Sequence, residues 1–357
     1  MSLKALLESL PIPIVQAPMA GASSPEMALA VSRAGGLGSV AAAAFTPDDI
    51  ATAATLVRGG TDAPFNMNLL VNSSPAPESV DLDSALERLK PWYDELGAPL
   101  PERPNRFAID FDAQFDALLK ARPAVASFAF EMISSERVRA LQAAGSYVVG
   151  TANTVAEAKA WAQVGADGIC AQGMEAGGHR GNFITGIEES LVGTMALLAT
   201  VRQAVDLPVI AAGGIMDGKA VAAVLAMGAD AAQMGSAFLL ADQAIVSPLH
   251  REAIRQAPDD PTGLTRAFSG RYARGLENRF MREMRAIEDD LPAYPVQNRL
   301  TQPLRSAAEK AGNPEMMSLW AGQAIKLAEA GDAGELVTRW WAEAKDAARA
   351  LAARTGS

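Results

Sequence analysis

The chain has 357 residues, 49% of them hydrophobic and 20% charged, a globular composition with enough apolar material for a large core. A formal net charge of −10 argues against nucleic acid or an anionic membrane surface as the main partner. A single cysteine, Cys170, rules out an internal disulfide framework and a cysteine-rich metal site, and two histidines far apart in sequence, His179 and His250, make a zinc site improbable, so no metal is expected.

The first twenty residues carry Glu8 and several prolines and lack the apolar core of a signal peptide. No apolar run approaches the ~20 residues that span a bilayer, so a soluble, cytoplasmic protein is expected. Short apolar runs then alternate with Ala-rich helical patterns. Strands are predicted at 12–16, 38–42, 65–70, 124–128, 147–151, 168–171, 209–212 and 231–234. Helices are predicted at about 25–34, 47–56, 135–144, 155–164, 193–204 and 218–227. Strands apolar on both faces fit a parallel sheet covered by helices, and strict alternation argues α/β. Eight of them favour a closed TIM (β/α)8 barrel over an open sheet. Gly165-Ala166-Asp167-Gly168 and Gly228-Ala229-Asp230-Ala231 echo each other, each ending a helix and opening a strand.

Two regions break the pattern. Residues 72–106, rich in proline and charge, read as an insertion after the third strand, with a short helix at 84–96. From about Pro248 the strands stop and the rest reads as helical, ending in an amphipathic helix over 333–353. The expected organisation is a barrel over 1–247, a helical lid over 248–332 on the substrate side, and a terminal helix over 333–357 packed on the barrel.

Barrel active sites sit in the loops at the C-terminal ends of the strands. In Gln16-Ala17-Pro18-Met19-Ala20-Gly21, small residues leave room for a flat ring, though an ordinary tight turn reads equally well. In the third strand Asn66 and Asn68 share a face, and two buried amides require polar partners, either a ligand or the barrel itself. Asn68 lies nearer the strand's active end. The segment 172–181 carries four glycines, which let backbone approach a ligand, together with Gln172, Glu175, His179 and Arg180. A neutral imidazole there is suited to moving a proton near pH 7. The loops containing Gly213-Gly214 and Gln233-Met234-Gly235-Ser236 have the order expected of a barrel phosphate site. His250 reads as structural or solvent-facing, and Cys170 as inert core.

Together these segments resemble the nitronate monooxygenase family, formerly called 2-nitropropane dioxygenases. The carrying motifs are Gln16-Ala17-Pro18-Met19, Phe65-Asn66-Met67-Asn68, residues 172–181, 211–218 and Gln233-Met234-Gly235-Ser236. Ser269-Gly270-Arg271-Tyr272-Ala273-Arg274-Gly275 and Leu319-Trp320-Ala321-Gly322-Gln323 point to the class I branch. The resemblance implies noncovalent FMN contacted at Asn68, Gln172, Gly177, Gly214 and Gln233 through Ser236, with His179 as the base. It also implies oxidation of alkyl nitronates, such as propionate 3-nitronate, with O₂. With the residues read from the loops, the expected cofactor set is Ala17, Pro18, Met19, Asn68, Gln172, Gly177, Gly178, Gly213, Gly214, Gln233, Met234, Gly235 and Ser236. The expected assembly is a monomer or homodimer. Class I relatives often carry histidine in a Ser-Phe-His-Phe-Gly segment, where this chain has Ser127-Phe128-Ala129-Phe130-Glu131, and Tyr272 stands where proline is usual. Two alternatives remain: an NAD(P)H-dependent flavin reductase of the quinone or enoyl-ACP type on the same barrel, and a flavin-binding protein without turnover.

Overall fold

The computed structural model describes residues 2–355. In chain order its strands are β1 (Ile14–Gln16), β2 (Gly38–Ala41), β3 (Phe65–Leu70), β4 (Val125–Ala129), β5 (Tyr147–Ala152), β6 (Gly168–Gln172), β7 (Gly178–His179), β8 (Val209–Ala212), β9 (Ala231–Met234), β10 (Thr262–Thr265) and β11 (Ala273–Leu276). Eight of them form one parallel sheet in the order β1-β9-β8-β6-β5-β4-β3-β2. The two ends meet where Leu37 N–H donates to the Ile14 carbonyl at 2.9 Å and Gln16 N–H donates to the Leu37 carbonyl at 3.0 Å. The sheet thus wraps into a TIM-type barrel. Its strands are buried along nearly their whole length, which is why they read as apolar runs rather than alternating ones.

The surrounding helices start where local chemistry dictates. Ser24, Thr46, Ser134, Thr154 and Asp217 each accept an N–H of the first turn, and Pro25 and Pro47 follow two of these caps. The sequence echo has a structural counterpart. Gly165 and Gly228 end their helices at φ +91° and +94°, and the next-but-one aspartates take the same partner in the neighbouring strand. Asp167 accepts from Val148 N–H and Asp230 from Val209 N–H, both at 2.8 Å.

One helix was not predicted, and one predicted feature requires correction. The N-terminus forms a helix, Leu3–Ser9, whose Leu3 and Leu7, with Leu10, pack against Val15, Val125, Val149, Cys170, Ile210 and Ala231, closing the far end of the barrel. The strands also do not stop at Pro248. β10 and β11 pair antiparallel, and β11 pairs with β7, the two-residue strand that carries His179. These tail strands, Thr-Gly-Leu-Thr and Ala-Arg-Gly-Leu, contain glycine and arginine rather than an apolar pattern; their pairing, not their propensity, makes them strands.

The insertion contributes the helix Leu82–Glu95, and the tail contributes Pro248–Arg255, Arg279–Met284 and Val296–Lys310. Insertion and tail lock together through Tyr93. Its hydroxyl donates to the Leu300 carbonyl at 2.6 Å and accepts from Leu304 N–H at 3.1 Å, entering the turn of the helix Val296–Lys310 that Pro303 disrupts. The terminal helix, Ala333–Thr355, packs on the barrel's outer helices Pro25–Ala34 and Gly218–Ala226. No helix among the described residues is long and apolar enough to cross a membrane.

Candidate active site

The barrel mouth and the tail enclose a cavity of about 900 Å³, within the range of small-molecule and cofactor sites. Every residue expected at the site lines it except Met234, which is sealed in the core. The wall on the barrel side is made by Ala17, Pro18, Met19, Asn68, Gln172, Gly177, Gly178, Gly213, Gly214, Gln233, Gly235 and Ser236.

The amides are held in specific ways. Asn66 spends its N–H groups on Ser39 and Ser127 inside the barrel and does not reach the cavity. Asn68 donates to Ser127 and keeps its carbonyl oxygen for the cavity it lines. Gln172 accepts from Asn153 at 3.0 Å, which leaves its amide NH₂ unengaged. Gln233 donates to Cys170 Sγ at 3.3 Å. Cys170 itself lies inside the barrel, its thiol pushed up to about 12 by burial, and is inert packing.

At the other end of this wall, the backbone N–H groups of Gly214, Gly235 and Ser236 donate to no described residue. Gly178, at φ +74°, faces open space where a Cβ would project, while Gly177 packs 2.5 Å, measured from an ideal Cβ, from the Ala321–Gly322 backbone. A side chain at Gly177 would push the tail away from the loop. The helix Gly218–Ala226 does not offer its N-terminus to the cavity. Asp217 caps it, and Gly218 N–H donates to Glu343 at 3.1 Å.

The loop after β6 divides its polar residues between construction and chemistry. Glu175 accepts from Thr194 N–H and Oγ1, capping the helix Thr194–Ala204, whose own N-cap Gly193 has no side chain. Arg180 is fully buried and donates to the carbonyls of Gly173 and Ser190 at 2.7 and 2.9 Å. Gln172 and His179 line the cavity, and so does Glu175, its carboxylate spent on Thr194.

His179 sits among aromatic rings, with Phe130 and Trp320 centroids at 5.4 Å and Tyr294 at 5.9 Å. Its Nε2 lies 2.9 Å from Ser269 Oγ. Burial pushes its basicity down to about 3, with the Arg271 and Arg305 charges acting in the same direction, so the ring is neutral. Phe130 holds a left-handed φ of +83°, a strain of about 1–3 kcal/mol, and its ring lies under the Arg271 guanidinium at 4.3 Å. Arg271 donates in turn to the carbonyls of Arg180 and Asn182, binding the loop to the tail. Ala129 lines the cavity and adds no polar group beside Phe130.

The opposite wall went unrecognised in the sequence. Tyr294, Asn298, Gln302 and Arg305 bring the helix Val296–Lys310 and its approach to the cavity, with Ser318 and Trp320 beside them. Arg305 donates to Thr301 and Asn298 carbonyls, Asn298 Oδ1 and Ser318 Oγ. A guanidinium has five N–H donors, so capacity remains. No carboxylate pairs with Arg305 among the described residues, and desolvation pushes it down to about 10. The available signal was polar residues spaced four and three apart on a helix, which also describes a solvated face. His250 is likewise relocated: it is buried, it lines the same cavity, and burial lowers it to about 4.

Comparison with known proteins completes the description. A family model described as nitronate monooxygenase matches residues 2–343. A curated protein of Staphylococcus aureus (strain Newman), "Probable nitronate monooxygenase", is 39% identical over 321 residues, covering 90% of each chain. Among solved structures, a nitroalkane oxidase from Streptomyces ansochromogenes superposes with a TM-score of 0.89 at 41% identity, covering 97% of this chain and 99% of that one. FabK from Thermotoga maritima superposes with a TM-score of 0.76 at 29% identity, covering 99% and 98%.

Proposed function

This chain belongs to the nitronate monooxygenase family of flavin-dependent oxidoreductases, and from that premise we propose that it binds FMN in the cavity and oxidises alkyl nitronates, such as propionate 3-nitronate, with O₂. The observation that carries this reading is that one cavity is lined by both a neutral imidazole, His179, and a guanidinium with no carboxylate partner among the described residues, Arg305.

The residues fit the cofactor in kind. Asn68, Gln172 and Gln233 offer amide donors and acceptors for the polar edge of a flavin ring, and the small residues Ala17, Pro18 and Met19 leave a flat wall. The unengaged N–H groups of Gly214, Gly235 and Ser236 suit a phosphate, as backbone donors at barrel mouths do. FMN, when bound, supplies the electron-transfer chemistry; the protein supplies orientation, charge and proton handling.

Charge then decides between substrate forms. A nitronate is an anion that has already lost the acidic proton from its carbon. A neutral nitroalkane must first give a proton to His179, creating an imidazolium beside Arg271 and Arg305, the state this environment disfavours. Arg305 attracts the anion and opposes the protonated ring, so both effects favour the nitronate. Aromatic rings around His179 exclude water from the reacting carbon.

Anaerobic mixing tests the reading. Bleaching of the bound flavin by nitronate, with slow or no bleaching by NADH or NADPH, is expected. Rapid bleaching by a reduced nicotinamide, with none by nitronate, would assign the cavity to a reductase instead.

A further inference from the structure

Taking His179 as the acid/base group of the proposed reaction, we infer that Ser269 is a positioning residue that fixes the imidazole in one tautomer, with the proton on Nε2 and bare Nδ1 turned to the cavity.

The argument is a count of protons. The Ser269 hydroxyl has one to give. Its Oγ lies 2.9 Å from the Arg271 carbonyl oxygen, which can only accept and to which no other described donor is bonded, and the proton is assigned there. The Arg271 N–H points back at the same Oγ at 3.4 Å, consistent with an oxygen that accepts from its other neighbours. With the hydroxyl proton on that carbonyl, Oγ accepts at the remaining contact, 2.9 Å to His179 Nε2, and Nε2 carries the hydrogen. A neutral imidazole has one N–H, which leaves Nδ1 as a lone pair.

The position of Nδ1 agrees. It has no hydrogen-bond partner among the described residues, yet it is not one of the polar atoms sealed from solvent, and His179 lines the cavity. Nδ1 is thus the ring nitrogen left accessible to a substrate in the cavity that His179 lines.

Ser269 is rigid enough for this task. It is 1% exposed, so bulk water does not compete for its hydroxyl. The adjacent Gly270, at φ +79°, fits so tightly against the Pro292–Tyr294 backbone that a Cβ there would fall 2.2 Å from the Pro292 carbonyl oxygen. Two residues on, the Arg271 side chain fastens the carbonyls of Arg180 and Asn182, and the Tyr272 carbonyl accepts from Arg180 N–H at 2.8 Å. One tail segment thus fixes both the backbone around His179 and the identity of its basic nitrogen.

The experiment reads the tautomer directly. In the flavin-loaded, full-length protein labelled with ¹⁵N-histidine, protonated and bare ring nitrogens resonate far apart, and long-range couplings tell Nδ1 from Nε2. With two histidines in the chain, a His250→Gln spectrum assigns both. The wild type should show the Nε2–H tautomer. Ser269→Ala should show a mixture or the opposite tautomer, and Ser269→Thr, which keeps the hydroxyl, should restore the wild-type pattern. Nitroalkane turnover should fall roughly 10-fold in Ser269→Ala and recover in Ser269→Thr, a share of the ~10²–10⁴-fold that positioned proton transfer contributes. An Nδ1–H signal in the wild type overturns the inference, as does an unchanged tautomer in Ser269→Ala. Should Ser269→Ala fail to fold, the wild-type spectrum still decides. The spectrum needs no substrate, so a fixed Nε2–H tautomer in a protein inert to nitronates would reject the functional reading and leave this one standing.

Discussion

The loop after β6 and the tail segment over 262–320 meet at His179 but are built on opposite plans. The loop is rich in glycine and spends its charged side chains on itself: Glu175 caps a helix and Arg180 ties carbonyls together. What it presents to the cavity is mainly backbone, with Gln172, His179 and a Glu175 whose carboxylate is already engaged by Thr194. The tail presents side chains: Arg305, Asn298, Tyr294, Trp320, and the Ser269 hydroxyl behind the imidazole. Backbone shape suits a rigid ligand of fixed outline such as a flavin. A wall of side chains suits discrimination among small anions, because one substitution changes charge without moving the barrel.

If this division holds, substitutions on the two sides fail differently. The largest effect is expected at the junction. His179→Ala should cost about 10²–10⁴-fold in kcat/KM for a neutral nitroalkane and far less for the corresponding nitronate. Equal losses with both would remove the role assigned to the imidazole. Next comes the tail wall. Arg305→Met should raise the KM for nitronates roughly 10–100-fold, the worth of a lost charged hydrogen bond, while flavin content stays at the wild-type level. Flavin loss in that variant would break the separation between cofactor wall and substrate wall.

A weaker effect concerns pH. His179 and His250 are both held below their ordinary value by burial, with Arg271 and Arg305 adding at the first and Arg251 at the second. Above about pH 6.5 both are neutral folded or unfolded, and their contribution to stability is intact. As pH falls below that value the unfolded chain binds protons that the folded one refuses, so stability declines toward about 4 for His250 and about 3 for His179. Urea midpoints measured from pH 7 to pH 5 should fall, with a shallower slope in His250→Gln. The smallest effect belongs to the loop's own construction. Glu175→Ala should lower stability by about 1 kcal/mol, as loss of a helix cap does, and leave the preference for nitronate over nitroalkane unchanged.

The same contrast explains what could be read from the chain beforehand. The eight barrel strands were legible because strands buried on both faces must be apolar runs. The glycine loops were legible because barrel geometry dictates where such loops lie. Arg305, Asn298 and Gln302 were not. On a helix with polar residues on more than one side, sequence spacing does not say which polar side faces inward until the tail is placed over the mouth. For His250, read as structural or solvent-facing, burial removes the second choice, and its distance along the chain concealed that it lines the same cavity. β10 and β11 were missed because their residues become strands only in company. Met234, grouped with its neighbours by motif, turns into the core because alternate residues of a strand face opposite ways.

The small helix Leu3–Ser9 has a consequence for traffic. Leu3 and Leu7 cover the end of the barrel away from the cavity, which lies between the barrel loops and the tail. On the proposed reading, nitronate and product would enter and leave on that one side of the barrel, and the product should then compete with the substrate for entry.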